Sequence, residues 1–226
     1  RCFVDQVAMR DEEATIVEFT TPEMWRRVAL EIASPEKPAL RKEWEQNFYW
    51  LLDNFRFVPG GRIMFGAGQP RKATLLNCYV IPVKEDSIEA IFDWCKQAAR
   101  TYSYGGGVGV DISGLRPKGA AVNNSAIHST GSVSFMELFS TTTGTIGQAG
   151  RRGALMITIG AEHPDVLDFV NVKKDLAKVN HANISVRVTE AFMKAVEADD
   201  DLTLHYENDV VGRVEKKINA RELWDQ

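Results

Sequence analysis

The apolar positions of the first sixty residues recur with a helical period. Trp25, Val28, Ala29 and Ile32 follow one another behind Thr20, Thr21 and Pro22, a start signal with proline in the first turn. Pro35 and Pro38 interrupt the pattern. A second stretch then carries Trp44, Phe48, Leu51, Leu52 and Phe55 on one face, up to a stop at Val58-Pro59-Gly60-Gly61. These aromatics are expected to form core.

Beyond that stop, short runs of β-forming residues alternate with helical stretches. Leu75–Pro82, Val108–Ile112, Ala154–Ile159 and Asn183–Val188 read as strands, and Leu202, Leu204 and Tyr206 alternate with polar residues. Asp86-Ser87-Ile88-Glu89 resembles a capping box with Asp86 as N-cap. The helix it opens places Ile88, Ile91, Phe92, Cys95 and Ala99 on one side. Gly131 and Ser132 start a helix bearing Val133, Met136, Phe139 and Thr143; His163-Pro164-Asp165 begins another, with proline in its first turn. Thr189 caps a helix through Val196, and 220–226 reads as the opening of a helix cut short. Strands alternating with helices predict an α/β fold, divided into a helical segment, 1–60, and an α/β region, 61–226.

Composition narrows the function classes. With 226 residues, 44% hydrophobic and 26% charged, the chain can bury a core without disulfides or metal. A net charge of −4 disfavours a protein that coats nucleic acid or a membrane surface, so any bound anion must be met by local geometry. No apolar run approaches the roughly 20 residues of a membrane span, and nothing resembles a signal peptide; a cytoplasmic location is expected. Cys2, Cys78 and Cys95 form no Cys-x-x-Cys and no Cys/His cluster, so no metal site is expected.

Four segments could carry chemistry. Gly105-Gly-Gly-Val-Gly109 lacks the third glycine of the dinucleotide fingerprint and the Gly-Lys-Ser/Thr of a phosphate loop, leaving a tight turn or close backbone contact with a ligand. The paired arginines of Gln148-Ala-Gly-Arg-Arg-Gly153 could fork onto phosphate or a base edge, although a solvated basic loop is the commoner outcome. His128-Ser-Thr-Gly131 precedes a helix and could offer amides to an anion, or simply cap it. Asn77-Cys78 places a polar residue and a thiol inside an apolar strand; the thiol is either a small hydrophobe, as expected for Cys95, or a redox group.

Taken in order, eight segments resemble the catalytic subunit of ribonucleotide reductase, most closely its adenosylcobalamin-dependent class. They are Phe57-Val-Pro-Gly-Gly-Arg-Ile63, Asn77-Cys-Tyr-Val80, Asp86-Ser-Ile88, Gly105 through Gly119, Ser129-Thr-Gly-Ser-Val-Ser-Phe-Met136, Gly150-Arg-Arg-Gly-Ala-Leu-Met156, His163-Pro-Asp165, and Asn183-Ile-Ser-Val186 leading into 188–193. The resemblance implies the first half of a ten-stranded α/β barrel behind a helical lead-in. It also implies reduction of a ribonucleotide by thiyl-radical chemistry, in which two cysteines become a disulfide.

On this resemblance Cys78 is one of the two reducing thiols. Asn77, the Gly107 backbone and, more loosely, Arg62 lie near the substrate. Asp86, Ser87 and Ile88 would hold the ribose and base of a deoxynucleoside triphosphate (dNTP) effector, with Arg116 and Asn123 on its phosphates. Gln148, Arg151 and Arg152 would form the specificity loop. The implied partners are a homodimer mate, a thioredoxin-like reductant and the C-terminal half of the enzyme, which would supply the radical cysteine; the chain alone is therefore expected to be inactive. Two alternatives stand beside this reading: a large subunit served by a separate radical-generating protein, and a nucleotide-binding regulatory module without chemistry.

Overall fold

The computed structural model describes residues 7–123, 125–146, 153–175 and 177–226. Cys2, Gln148, Arg151 and Arg152 lie outside them. The chain divides into two compact units, Arg1–Asn77 with Tyr104–Gly106, and Cys78–Ser103 with Gly107–Gln226.

The first unit is helical. Helix α1 (Thr21–Ala33) starts where the sequence placed it: the Glu23 carboxylate accepts from the backbone N–H groups of Phe19 (2.8 Å) and Thr20 (2.9 Å), which satisfies donors that the first turn cannot. Met24, Trp25, Val28, Ala29 and Ala33 form its buried stripe. Helix α2 (Arg41–Leu52) packs on α1 but buries only Leu52 fully. Trp44, Leu51 and Phe55 are exposed, contrary to the expectation that the aromatics of this face are core. A two-helix seam is narrow: Phe48, Tyr49 and Leu52 fill it, and residues a turn away reach only its rim, where Phe55 meets Trp25 edge-on at 5.3 Å. The Pro-Gly-Gly stop also differs from expectation. Helix α2 ends at Leu52, and Gly61 opens a further short helix, α3 (Gly61–Gly66).

The second unit is a βα alternation: β1 (Cys78–Val80), α4 (Ile88–Ser103), β2 (Gly107–Asp111), α5 (Phe135–Thr145), β3 (Leu155–Gly160), α6 (Val166–Asn171) and β4 (Ala182–Arg187). The four strands lie in sequence order, all parallel, as helical crossovers require. Then come α7 (Glu190–Ala198), the antiparallel hairpin β5 (Asp201–Asn208) and β6 (Gly212–Asn219), and α8 (Ala220–Trp224). The strands form an open sheet, not a closed barrel.

One sheet face carries Val108, Val110, Leu155, Ile157 and Ile159, buried with Trp94, Met136, Phe139 and Phe169 of the helices in one core. Strand side chains alternate, so the opposite face receives Cys78, Val80, Gly107, Gly109, Asp111, Met156, Thr158, Asn183, Ser185 and Arg187. Parallel strands are usually buried on both sides and read as continuous apolar runs. This sheet is amphipathic, with mostly small or polar residues opposite its core, Val80 and Met156 apart.

Three boundaries differ from the sequence reading. Strand β1 is far shorter than Leu75–Pro82, because Pro82 has no N–H for a ladder; the last bond, Ile81 N–H to the Gly109 carbonyl (3.0 Å), comes just before it. The helix after His163-Pro164-Asp165 begins only at Val166, with Asp165 as its N-cap residue. At α4 the capping side chain is Ser87, whose Oγ accepts from Ala90 N–H (3.2 Å), and not Asp86, whose carboxylate is committed elsewhere.

Candidate functional site

Cys78 opens β1 and sits in register with Gly107. Its thiol is free and exposed, at the sheet's N-terminal edge, on the face away from the core. Its cross-strand neighbour Gly107 and the next position on the same face of β2, Gly109, have no side chains, so nothing from β2 covers it. Cys95 is the opposite case: it is buried on α4 within the core, and burial pushes its thiol above the ordinary cysteine value. Only Cys78 of these two has the access that thiol exchange needs.

Further along the same face lies a polar cluster. The Asp111 carboxylate accepts from Ser113 N–H (2.9 Å) and Thr158 Oγ1 (2.9 Å), with Arg187 Nε at 3.9 Å. Burial alone would raise this carboxyl, but the hydrogen bonds and the guanidinium outweigh it and hold it below the ordinary aspartate value.

The loop between β2 and α5 is pinned at its root. Arg116 Nε donates to Asp86 Oδ2 (2.7 Å), its Nη2 to the Asp86 carbonyl (3.0 Å) and its Nη1 to the Ala121 carbonyl (3.0 Å). Asp86 Oδ1 also accepts from the Arg116 backbone N–H (3.2 Å). Asp86 and Arg116, separated by thirty residues, are thus brought together, largely buried. On the other side of the loop, His163 Nε2 lies 2.9 Å from the Leu115 carbonyl, and His163 Nδ1 accepts from Asp165 N–H (3.1 Å). These partners fix the neutral tautomer with its proton on Nε2.

The Asp165 carboxylate accepts from Lys118 N–H (3.0 Å) and from both the N–H and the hydroxyl of Ser132 (2.9 Å each). The anion considered for the His128-Ser-Thr-Gly131 helix start is therefore the chain's own carboxylate. Gly131 is obligatory beside it: its φ is +94°, and a Cβ there would come within 2.8 Å of Asp165 Oδ2. Beyond the root, Ala121 and His128 pair in an isolated antiparallel bridge, and Asn123 is exposed.

His163 gives this root a pH dependence. Burial holds its imidazole below the ordinary 6.5, so between the two values the unfolded chain binds a proton that the folded chain refuses. Stability is then complete above about pH 6.5 and falls as the pH drops through the window below it, with a slope of up to about 1.4 kcal/mol per pH unit. Urea midpoints of the wild type are expected to decline more steeply from pH 7 to 5 than those of His163→Gln. Parallel declines would remove His163 as the cause.

The first unit holds the remaining candidates. The side chain of Asn77 lies against Gly60, where a Cβ would be 3.5 Å from its Nδ2. The Arg62 guanidinium lies on Gly105, with φ at +90° and a Cβ position only 2.5 Å from Nη1. The glycine-rich turn thus begins as a seat for an arginine, a function that the sequence pattern did not reveal.

Asp165, His163, Tyr206 and Asn208 were not identified as site residues from sequence. His163-Pro-Asp165 reads from sequence as a helix start and as one of the family-like segments, with no task assigned to its side chains. Tyr206 alternates in β5 as a core residue would. Nothing local signals that its hydroxyl reaches Asp86, 3.0 Å away and 120 residues earlier.

Comparison with known proteins agrees with this architecture. Residues 1–72 match the family model of the ribonucleotide reductase all-alpha domain, and residues 76–226 match that of the ribonucleotide reductase barrel domain. A vitamin B12-dependent ribonucleoside-diphosphate reductase of Mycobacterium tuberculosis is 34% identical over 227 residues, covering 98% of this chain and 32% of that protein. The protein of the same name from Thermoplasma acidophilum is 39% identical over 180 residues, 79% of this chain and 23% of its own. A ribonucleoside-diphosphate reductase subunit alpha of Chlamydia muridarum is 26% identical across 90% of the chain. The chain thus spans about a third or less of the length of these relatives. With both units matched in order, and with a helical unit followed by a parallel sheet, the chain belongs to the ribonucleotide reductase family.

Proposed function

We propose that this chain forms part of the catalytic subunit of a ribonucleotide reductase, with Cys78 as one of two thiols that reduce the substrate. The overall change replaces the 2′-hydroxyl of a ribonucleotide by hydrogen. Two thiols become a disulfide and give up two electrons and two protons, and the hydroxyl leaves as water. The observation that carries this reading is the exposed Cys78 thiol beside Gly107 and Gly109, on the sheet face that the core leaves free. A ribose can approach sulfur there without displacing a side chain of β2. Asn77 and Arg62 are proposed as substrate-proximal residues of the first unit. A homodimer, a thioredoxin-like reductant and the C-terminal half of the enzyme complete the assembly.

The vitamin B12-dependent names of the relatives make adenosylcobalamin the proposed cofactor, a source of the radical when bound. The corrin ring itself ligates the cobalt, so this group does not call for a cluster of side-chain ligands, and none of the residues proposed above is assigned to it. The share of the work proposed for this chain's own residues is to present one reducing thiol and to bind nucleotide. The proposed dNTP-effector segment comprises Asp86, Ser87, Ile88, Arg116 and Asn123, together with Gln148, Arg151 and Arg152. In the complete enzyme, one turnover without external dithiol should leave Cys78 in a disulfide, read by peptide mapping under non-reducing conditions. Product formed with Cys78 still reduced would exclude this role.

A further inference from the structure

The Asp86–Arg116 pair does not stand alone. Asp86 Oδ2 accepts not only from Arg116 Nε but also from Tyr206 OH (3.0 Å) and Asn208 Nδ2 (3.0 Å), both on β5. Asn208 Nδ2 also lies 2.8 Å from Tyr206 OH, which is 3.1 Å from the Gly114 carbonyl at the root of the same loop. Asn208 is itself immobilised, because its Oδ1 accepts from Val210 N–H (3.0 Å) and Val211 N–H (2.7 Å) in the hairpin turn. Tyr206 is buried, with its ring edge-on to His163 at 5.8 Å. Burial and the adjacent Asp86 carboxylate push its phenol well above the ordinary tyrosine value, so it remains a hydrogen-bond donor.

We infer that the β5–β6 hairpin is a positioning element for nucleotide binding at Arg116: Tyr206 and Asn208 fix Asp86, and Asp86 aims the guanidinium. This rests on the effector reading above and gives one residue within it a second task. With three donors on Oδ2 and a backbone N–H on Oδ1, the Asp86 carboxylate orients Arg116, while Oδ1 keeps a lone pair for a ribose hydroxyl. Arg116 keeps a use for ligand. A guanidinium has five N–H donors, and three are engaged with protein oxygens. Among the described residues the other two, one on each terminal nitrogen, have no acceptor and are the ones that phosphate oxygens would take.

The test uses the complete reductase subunit and measures dNTP affinity by equilibrium binding, together with the ratio of effector-stimulated to unstimulated turnover within each variant. Tyr206→Phe keeps the ring and removes the hydroxyl. It is expected to raise the dNTP dissociation constant roughly fivefold, the worth of about one hydrogen bond, and to lower the stimulation ratio at subsaturating effector. Asn208→Ala should act in the same direction. If the effect passes through Asp86, adding Tyr206→Phe to Asp86→Asn should weaken binding no further, whereas independent structural damage would multiply. Unchanged affinity in Tyr206→Phe, or multiplying effects in the double variant, would overturn the inference. A wild-type subunit without saturable dNTP binding would overturn it at its base, together with the effector reading. That result is distinguishable because it needs no substitution.

Discussion

Replacing Cys78 by serine in the complete enzyme is expected to abolish multiple-turnover reduction, by a factor on the order of a thousand or more, while substrate affinity changes by less than about tenfold. A hydroxyl occupies nearly the same space as the thiol but cannot form a disulfide, so the two electrons for the 2′-carbon have no source. Because Cys78 is exposed on the sheet edge and Gly107 offers no side chain against it, the exchange opens no cavity and should leave the fold intact. Cys95→Ser is the matching control. It places a hydroxyl in the core beside α5, so it should lower thermal stability without a selective loss of the dithiol-dependent step. Retention of dithiol-dependent turnover by the Cys78→Ser enzyme would remove the sulfur from the mechanism.

The second large effect concerns the first unit. Arg27 forks onto Glu18 through Nε (2.9 Å) and Nη2 (2.8 Å), and it donates further to the carbonyls of Met64 (3.0 Å), Val7 (3.3 Å) and Ala67. Glu18 in turn accepts from Met9 N–H (3.1 Å). With side-chain exposures of only 8% and 5%, neither charge is relieved by water. Arg27→Ala leaves a buried carboxylate and three carbonyls without their donor. A loss of about 3–5 kcal/mol is expected in urea unfolding followed by tryptophan fluorescence. Because the cost comes from the charge left behind more than from the pair's own worth, Arg27→Met combined with Glu18→Gln should recover much of it. A double variant as unstable as Arg27→Ala would show that the packing of the arginine stem, and not the orphaned carboxylate, dominates.

Much of the fold was legible because its cues are local. The Thr20–Glu23 start of α1, the Thr189 cap of α7 and the alternation in β5 all depend on residues within one or two turns of each other. The sequence reading failed where a local cue met a distant competitor. Asp86 has the chemistry of an N-cap, yet an arginine thirty residues on and a tyrosine 120 residues on offer its carboxylate stronger partners. Ser87, one position later, then takes the cap. The aromatics of α2 fit a helical stripe, but a stripe does not reveal how wide a surface it will meet.

The candidate site divides along the same line. The burial of Cys95 follows from its helix face, and the order of the family motifs was readable directly; the exposure of Cys78 was not, because β1 begins at Cys78 instead of running through it. Which side chains clasp the β2–α5 loop was not, because Asp86, Arg116, His163, Asp165 and Tyr206 are scattered over 120 residues and become neighbours only when parallel strands stack. Sequence alone determined most of the elements and the α/β class. Tertiary structure alone decided that Asp165 caps the turn leading into α5 from a distance, that Arg62 rests on Gly105, and that hairpin residues hold Asp86. Short-range periodicity is written into consecutive residues, whereas a hydrogen bond between distant segments depends on a geometry that exists only after the sheet has formed.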